Sequence, residues 1–194
     1  MTGNRCRFQK WPNGFTPTKL SYVCSAHYLD QIDAVNLSAE QQVLLKEIPD
    51  AMFRETVRDF MVNQQFRKDY WVKGVRKLNA IEQAEALRAQ KVILVNNRAD
   101  VSLKITGSIG DGTMQEAVYN PILDALADNK PKTVGQIEQA VKEEGVTFAQ
   151  VLQSVMVLIG AGHLNAVQDD AVSTKAKKQT DKLILLRHIV FLTS

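Results

Sequence analysis

Hydrophobic positions change period several times along the chain, and the changes mark its elements. KLSYVCSA, from Lys19, alternates well enough for a short strand. Leu37-Ser38 opens a helix: Ser38 can cap it, Gln41 stands at the reciprocal position of a capping box, and Pro49 ends it. Val43, Leu44, Leu45 and Ile48 are the stripe expected to face inward. Asp50 caps the next helix, where Phe53, Val57, Phe60 and Met61 recur at i, i+4, i+7 and i+8 and so share one face. Arg54, Glu55, Arg58 and Asp59 take the other flanks. Phe66 to Val72 fits a helix end or a strand equally well, and Gly74 ends it either way. Asn79 with Glu82 is a second capping box, opening a helix through about Gln90. VILV (92–95) and VSLKIT (101–106) read as strands around the polar turn NNRAD.

The pattern shifts after the glycine-rich stretch Gly107 to Gly112. Thr113-x-x-Glu116, Thr133-x-x-Gln136 and Thr147-x-x-Gln150 each read as the start of a helix. Pro121 suits the first turn of a continuation of the first helix, and Gly145 closes the second. HLNAVQ is a candidate strand, DDAVSTKAKKQTD a polar excursion, and KLILLRHIVFL a final strand or helix. Three helices followed by a strand pair is the profile of a winged helix. The expected fold is α+β and mostly helical. Residues 1–18 form a poorly ordered leader. A small α/β subdomain with a short antiparallel sheet spans 19–107, and a winged-helix-like subdomain spans 113–194.

Composition narrows the function. The chain has 194 residues, 45% hydrophobic and 23% charged, with a formal charge of +3, which is ordinary for a globular protein and decides little about nucleic acid. Two cysteines, Cys6 and Cys24, support neither a disulfide framework nor a structural zinc site and fit a cytoplasmic protein with reduced thiols. No apolar run reaches the roughly 18 residues of a membrane helix.

Each catalytic signature fails on a specific residue. Gly107-Ser-Ile-Gly-Asp-Gly112 satisfies G-x-x-x-x-G, but Thr113-Met114 follow where a phosphate-binding loop has its lysine. Gln115 stands where a dinucleotide fingerprint needs its third glycine. The stretch therefore reads as a connector between the two subdomains. His27, His163 and His188 lie far apart with no metal-ligand spacing. The helix that would enter a DNA groove, Phe148 to Gly160, contains no Lys or Arg. Lysines 175, 177, 178 and 182 could make a basic wing, so nucleic-acid binding stays as the weaker alternative. Arg54, Arg58, Asp59, Arg67 and Asp69 around the helix end suggest salt bridges that set the angle between neighbouring elements, or an anion anchor at an interface.

SAHYLDQIDAVNLSAEQ, RETVRDFMVNQQFRKDYWVKG and ITGSIGDG…YNPILDALADNKPKTVGQIEQAV resemble the predicted methyltransferase regulatory domain of bacterial S-adenosylmethionine-dependent methyltransferases. The most specific part is Arg58-Asp59-Phe60 followed by Phe66-Arg67-Lys68-Asp69. The resemblance implies a module that accompanies a catalytic Rossmann domain, which this sequence does not supply. It further implies no catalytic residue, no cofactor and no metal in this chain. The partner is a methyltransferase catalytic domain or a protein substrate, with no membrane involved. Arg58, Asp59, Phe66, Arg67 and Asp69 become the candidate interface or structural network.

Overall fold

The computed structural model describes residues 19–177 and 179–180. The leader (1–18), the KLILLRHIVFL segment and the lysines at 178 and 182 lie outside the described residues. The fold is α+β and mostly helical, with short antiparallel sheets, as the periodicity indicates.

The N-terminal half pairs β1 (Leu20–Ser25) with β2 (Asp69–Lys73), antiparallel, Tyr22 opposite Trp71 and Ser25 opposite Asp69. This resolves the ambiguous Phe66 to Val72 stretch as a strand. Between the two strands lie a 3-10 turn (Tyr28–Gln31), α1 (Asp33–Asn36), α2 (Ala39–Glu47) and α3 (Ala51–Met61). The cap chemistry is as expected: Ser38 and Gln41 close a capping box on α2, and the Asp50 carboxylate accepts from the Phe53 amide at 2.7 Å on α3. α4 (Ala80–Ala89) begins at the Asn79–Glu82 box.

The apolar stripes of this half are not where amphipathicity placed them. On α2 only Leu45 is buried, while Val43 and Leu44 are exposed. On α3 Phe53 and Phe60 are exposed, and the buried residue is Thr56, whose hydroxyl donates to the Met52 carbonyl.

The second half supplies most of the core. β3 (Lys91–Leu94) runs antiparallel to both β6 (Lys132–Thr133) and β7 (Leu164–Ala166), giving the order β6-β3-β7. A strand from before residue 107 is thus the centre of a sheet whose edges come from after it. Packed on this sheet are α5 (Glu116–Ala125), α6 (Val134–Ala140) and α7 (Phe148–Gly160). Ile122, Leu123, Leu126, Ile137, Val151 and Leu158 are fully buried between them, and the buried Ser154 pairs with Tyr119. α6 and α7 carry the Thr133–Gln136 and Thr147–Gln150 capping boxes. Gly145, at φ +74°, makes the left-handed stop that the sequence indicates. α5 is one continuous helix through Pro121. Residues 170–177, read as a polar excursion, are helical.

The glycine-rich stretch is a β-hairpin. β4 (Lys104–Gly107) pairs with β5 (Gly110–Thr113), shifting the strand expected at 101–106. Thr113 is consumed in this pairing, opposite Lys104, so it cannot cap α5. That helix starts after Gln115 with no side-chain cap. The hairpin is clamped to α1. The Asn36 carboxamide oxygen accepts from the Ser108 amide (3.3 Å) and hydroxyl (3.1 Å), and its nitrogen donates to the carbonyls of Leu29 (2.6 Å) and Ile32 (3.2 Å). Gly107 lies directly on α1: a β-carbon there would sit 2.0 Å from the Val35 carbonyl oxygen.

Gly107→Ala is therefore expected to force a backbone shift and cost about 1–3 kcal/mol, read as a fall in denaturation midpoint. Gly112→Ala, whose β-carbon would meet Ile105 at an ordinary 3.7 Å, should stay within about 0.5 kcal/mol.

Candidate functional site

The charged side chains of the N-terminal half converge between α3 and the β1–β2 ribbon. Arg67, just before β2, extends its guanidinium back toward α3. Its Nε donates to both Asp69 oxygens at 3.1 and 3.2 Å, and Nη2 adds a third bond to Asp69 Oδ1 at 3.0 Å. Nη1 bonds to Asp59. Nη2 also reaches Glu55 Oε2 at 3.3 Å and the Tyr22 hydroxyl oxygen at 2.9 Å. Tyr22 in turn donates to Glu55 Oε2 at 3.4 Å and packs edge-on against Trp71, its cross-strand neighbour, with centroids 5.6 Å apart. One planar cation thus joins two strands to a helix. Arg is suited to this because its fork presents five donors in fixed directions.

Arg58, one turn of α3 from Asp59's neighbour Glu55, pairs with Asp33 on α1 and lies 3.5 Å from Glu55. Four carboxylates, Asp33, Glu55, Asp59 and Asp69, face two guanidinium groups. These side chains are largely withdrawn from water: Arg67 keeps 15% of its side-chain exposure, Asp59 17% and Asp69 11%.

Burial opposes the charge of Arg67, but the Asp69 hydrogen bonds and the carboxylates of Asp59 and Asp69 outweigh it and hold the guanidinium above its ordinary value. Burial pushes the Asp59 carboxyl up, with Arg67 pulling the other way. It also raises the Tyr22 hydroxyl, helped by Glu55, so the phenol stays a neutral donor. The Cys24 thiol is raised by burial and by Asp69, away from the thiolate that nucleophilic chemistry needs.

The structure brings four of the five sequence candidates together: Arg58, Asp59, Arg67 and Asp69. Phe66 is 86% exposed and stands outside the cluster. Sequence reasoning missed Tyr22, Asp33 and Glu55 as members of the network. The alternation of β1 placed Tyr22 on one face but gave no reason to expect a cation there, and Asp33 lies inside DQIDAVN with nothing to mark its partner.

A polar cleft of about 30 Å³ opens beside the network, lined by Ser25, Asp30, Asn36, Arg58, Arg67 and Ser108 among others. It has room for a water molecule or two, against the roughly 300 Å³ or more of a small-molecule pocket. Ser25 there donates to Asp30 at 2.7 Å. Among the described residues no group of three or more His, Cys, Asp or Glu side chains could hold a metal, and no helix is long and apolar enough to cross a membrane. A shallow groove of about 460 Å³ between α4 and α6 is spanned by the Arg88–Glu138 ion pair. The chemistry available is ion-pair and hydrogen-bond positioning.

Comparison with known proteins identifies the region that carries this network. Residues 4–73 match the family model described as "Predicted methyltransferase regulatory domain", a match that ends at the last residue of β2. The methyltransferase regulatory domain indicated by Arg58-Asp59-Phe60 and Phe66-Arg67-Lys68-Asp69 is therefore present in this chain. The chain is 37% identical over 163 residues to the uncharacterized protein sll1526 of Synechocystis sp., covering 84% of this chain and 32% of that protein. Its fold is similar to that of PKMT2 from Rickettsia typhi, with a TM-score of 0.51 and 18% identity over 83% of this chain and 36% of that one. The same protein in complex with AdoHcy matches at a TM-score of 0.51 and 16% identity, covering 84% and 35%. The chain thus spans about a third of the length of each of these proteins.

Arg67→Met removes the cation and leaves Asp59, Asp69 and Glu55 facing one another in a half-buried site, a cost of the order of 3 kcal/mol in urea denaturation. Arg67→Lys keeps the charge but loses the fork and should fall between. Without Arg67 the folded-state Asp59 carboxyl rises further above its unfolded value. The folded variant then binds more protons than its unfolded form, so its deficit against the parent is largest at pH 7 and narrows toward pH 5. A deficit independent of pH would count against this account.

Proposed function

We propose that this chain is the non-catalytic regulatory or substrate-positioning module of a methyltransferase, working in the cytoplasm by protein–protein contact with a catalytic part or a protein substrate. The observation that carries this reading is the distribution of apolar side chains. Among the described residues, twelve of the fifteen exposed large hydrophobics, from Val23 to Ile81, lie in the N-terminal half. That half holds only three of the twenty buried hydrophobics: Ile32, Leu37 and Leu45. Scattered apolar residues on a surface are normal, but a segment with four exposed large apolar side chains for each buried one is built like one side of an interface. Nine of those twelve lie within the family match, and the relatives are more than twice as long as this chain. Both facts support a contact with further methyltransferase polypeptide.

Two features weigh against independent catalysis. The glycine-rich stretch is a hairpin tied to α1 rather than a loop opening a helix, so it presents no cradle for a nucleotide. The cleft beside the ion-pair network is too small for a methyl donor. Nucleic-acid binding gains no support from α7, which buries Val151, Val155, Val157 and Leu158 and carries no cation.

Thermal denaturation of the purified chain with S-adenosylmethionine is expected to show no shift. A donor bound at a hundred times its dissociation constant would add about 2.7 kcal/mol and raise the midpoint by several degrees, which would overturn the reading. In a low-salt mobility-shift titration, duplex DNA should likewise not be retained.

A further inference from the structure

We propose that the outward face of α3, formed by Phe53 and Phe60 with the half-buried Val57 between them, is the docking face for the S-adenosylmethionine-binding part of a methyltransferase; this rests on the function proposed above and assigns its contact surface. Phe53, Val57 and Phe60 stand at i, i+4 and i+7 and form one line along the helix. Phe60 is 67% exposed and Phe53 46%. A helix of this kind normally rolls its apolar line inward. Here it cannot, because the opposite side of the same helix is committed to ion pairs: Arg58 to Asp33, and Glu55 and Asp59 to Arg67. The network fixes the rotation of α3 and holds the phenyl rings in water.

The occupant is argued from the stripe's chemistry and from length. No free charge interrupts the line. Arg54, the nearest cation on the flank, spends its guanidinium on the carbonyls of Ile48 and Pro49. The face therefore suits an apolar protein surface rather than a nucleic acid or a charged peptide. About two-thirds of each relative's polypeptide lies beyond the stretch that matches this chain, so in those proteins a covalently joined partner is at hand. Two phenylalanines, each burying about 150–250 Å² when covered, are enough to anchor an interface of roughly 800 Å² a side.

The test places a photo-crosslinking p-benzoylphenylalanine at Phe60 of the full chain, with Tyr70 on the ribbon and Lys104 on the hairpin as comparison positions, in the cell that makes the protein. The expected result is a crosslink from position 60, at least tenfold above the other two, to a polypeptide that also takes up radiolabelled S-adenosylmethionine. The double variant Phe53→Ser, Phe60→Ser should keep its thermal midpoint within a few degrees while losing at least tenfold in co-purification of that polypeptide. A methyltransferase crosslinked from Tyr70 or Lys104 but not from position 60 would overturn this face and leave the proposed function intact. A crosslink of position 60 to a second copy of the chain would overturn it in favour of self-association. No methyltransferase captured from any of the three positions would overturn both.

Discussion

The guanidinium of Arg67 lies between a helix and two strands and bonds to all three. It binds Asp69 beside it in the strand, Asp59 and Glu55 across on α3, and Tyr22 on β1. An isolated two-stranded ribbon is marginal in water, and the strands of this one are far apart in the sequence. The charged fork takes the place that a layer of leucine and valine would otherwise fill. Such an arrangement has a particular energetic character. The ion pairs add little net stability over an apolar filling, since desolvation consumes most of the Coulomb gain, but breaking one partner leaves the others uncompensated. The cluster therefore specifies an arrangement more than it strengthens one. The arrangement it specifies has polar groups inside and phenyl rings outside.

How far the sequence revealed this depends on whether the deciding interaction was local. Capping boxes at Ser38–Gln41, Asn79–Glu82, Thr133–Gln136 and Thr147–Gln150 are spaced contacts within one turn, and all four form. Thr113-x-x-Glu116 has the same spacing and fails, because a tertiary fact intervenes: Thr113 is held in a strand opposite Lys104. The orientation of α3 was invisible for a related reason. The amphipathic rule assigns the apolar side inward, and only the convergence of Arg67 and Asp33 from remote positions reverses it. Asn36 fastening the hairpin through Ser108, from 72 residues away, left no trace in local pattern. The charged candidates were found because RETVRD and FRKD crowd four of them into a short span, but the same crowding drew in Phe66, which faces solvent.

The two halves of the molecule divide the work of folding and of contact unevenly. α5, α6 and α7 with the β6-β3-β7 sheet hold nearly all the buried apolar volume. The family match lies on the other half, which contributes little to that core. A regulatory module needs a rigid support and a surface not already satisfied. On the function proposed above, the helical half is the support, and the exposed phenyl rings of α3 are the surface offered for contact.

The central position of β3 has a consequence for how this polypeptide emerges from the ribosome. Lys91 to Leu94 is synthesised well before either neighbour, and its last partner, Leu164 to Ala166, comes much later. At ordinary elongation rates of about 5–20 residues per second, KVIL waits roughly several seconds with both edges bare. A short apolar strand in that condition is a site of mispairing between nascent chains. Polysome crowding and chaperone supply, more than the equilibrium stability of the finished protein, should then set how much of it reaches the native state.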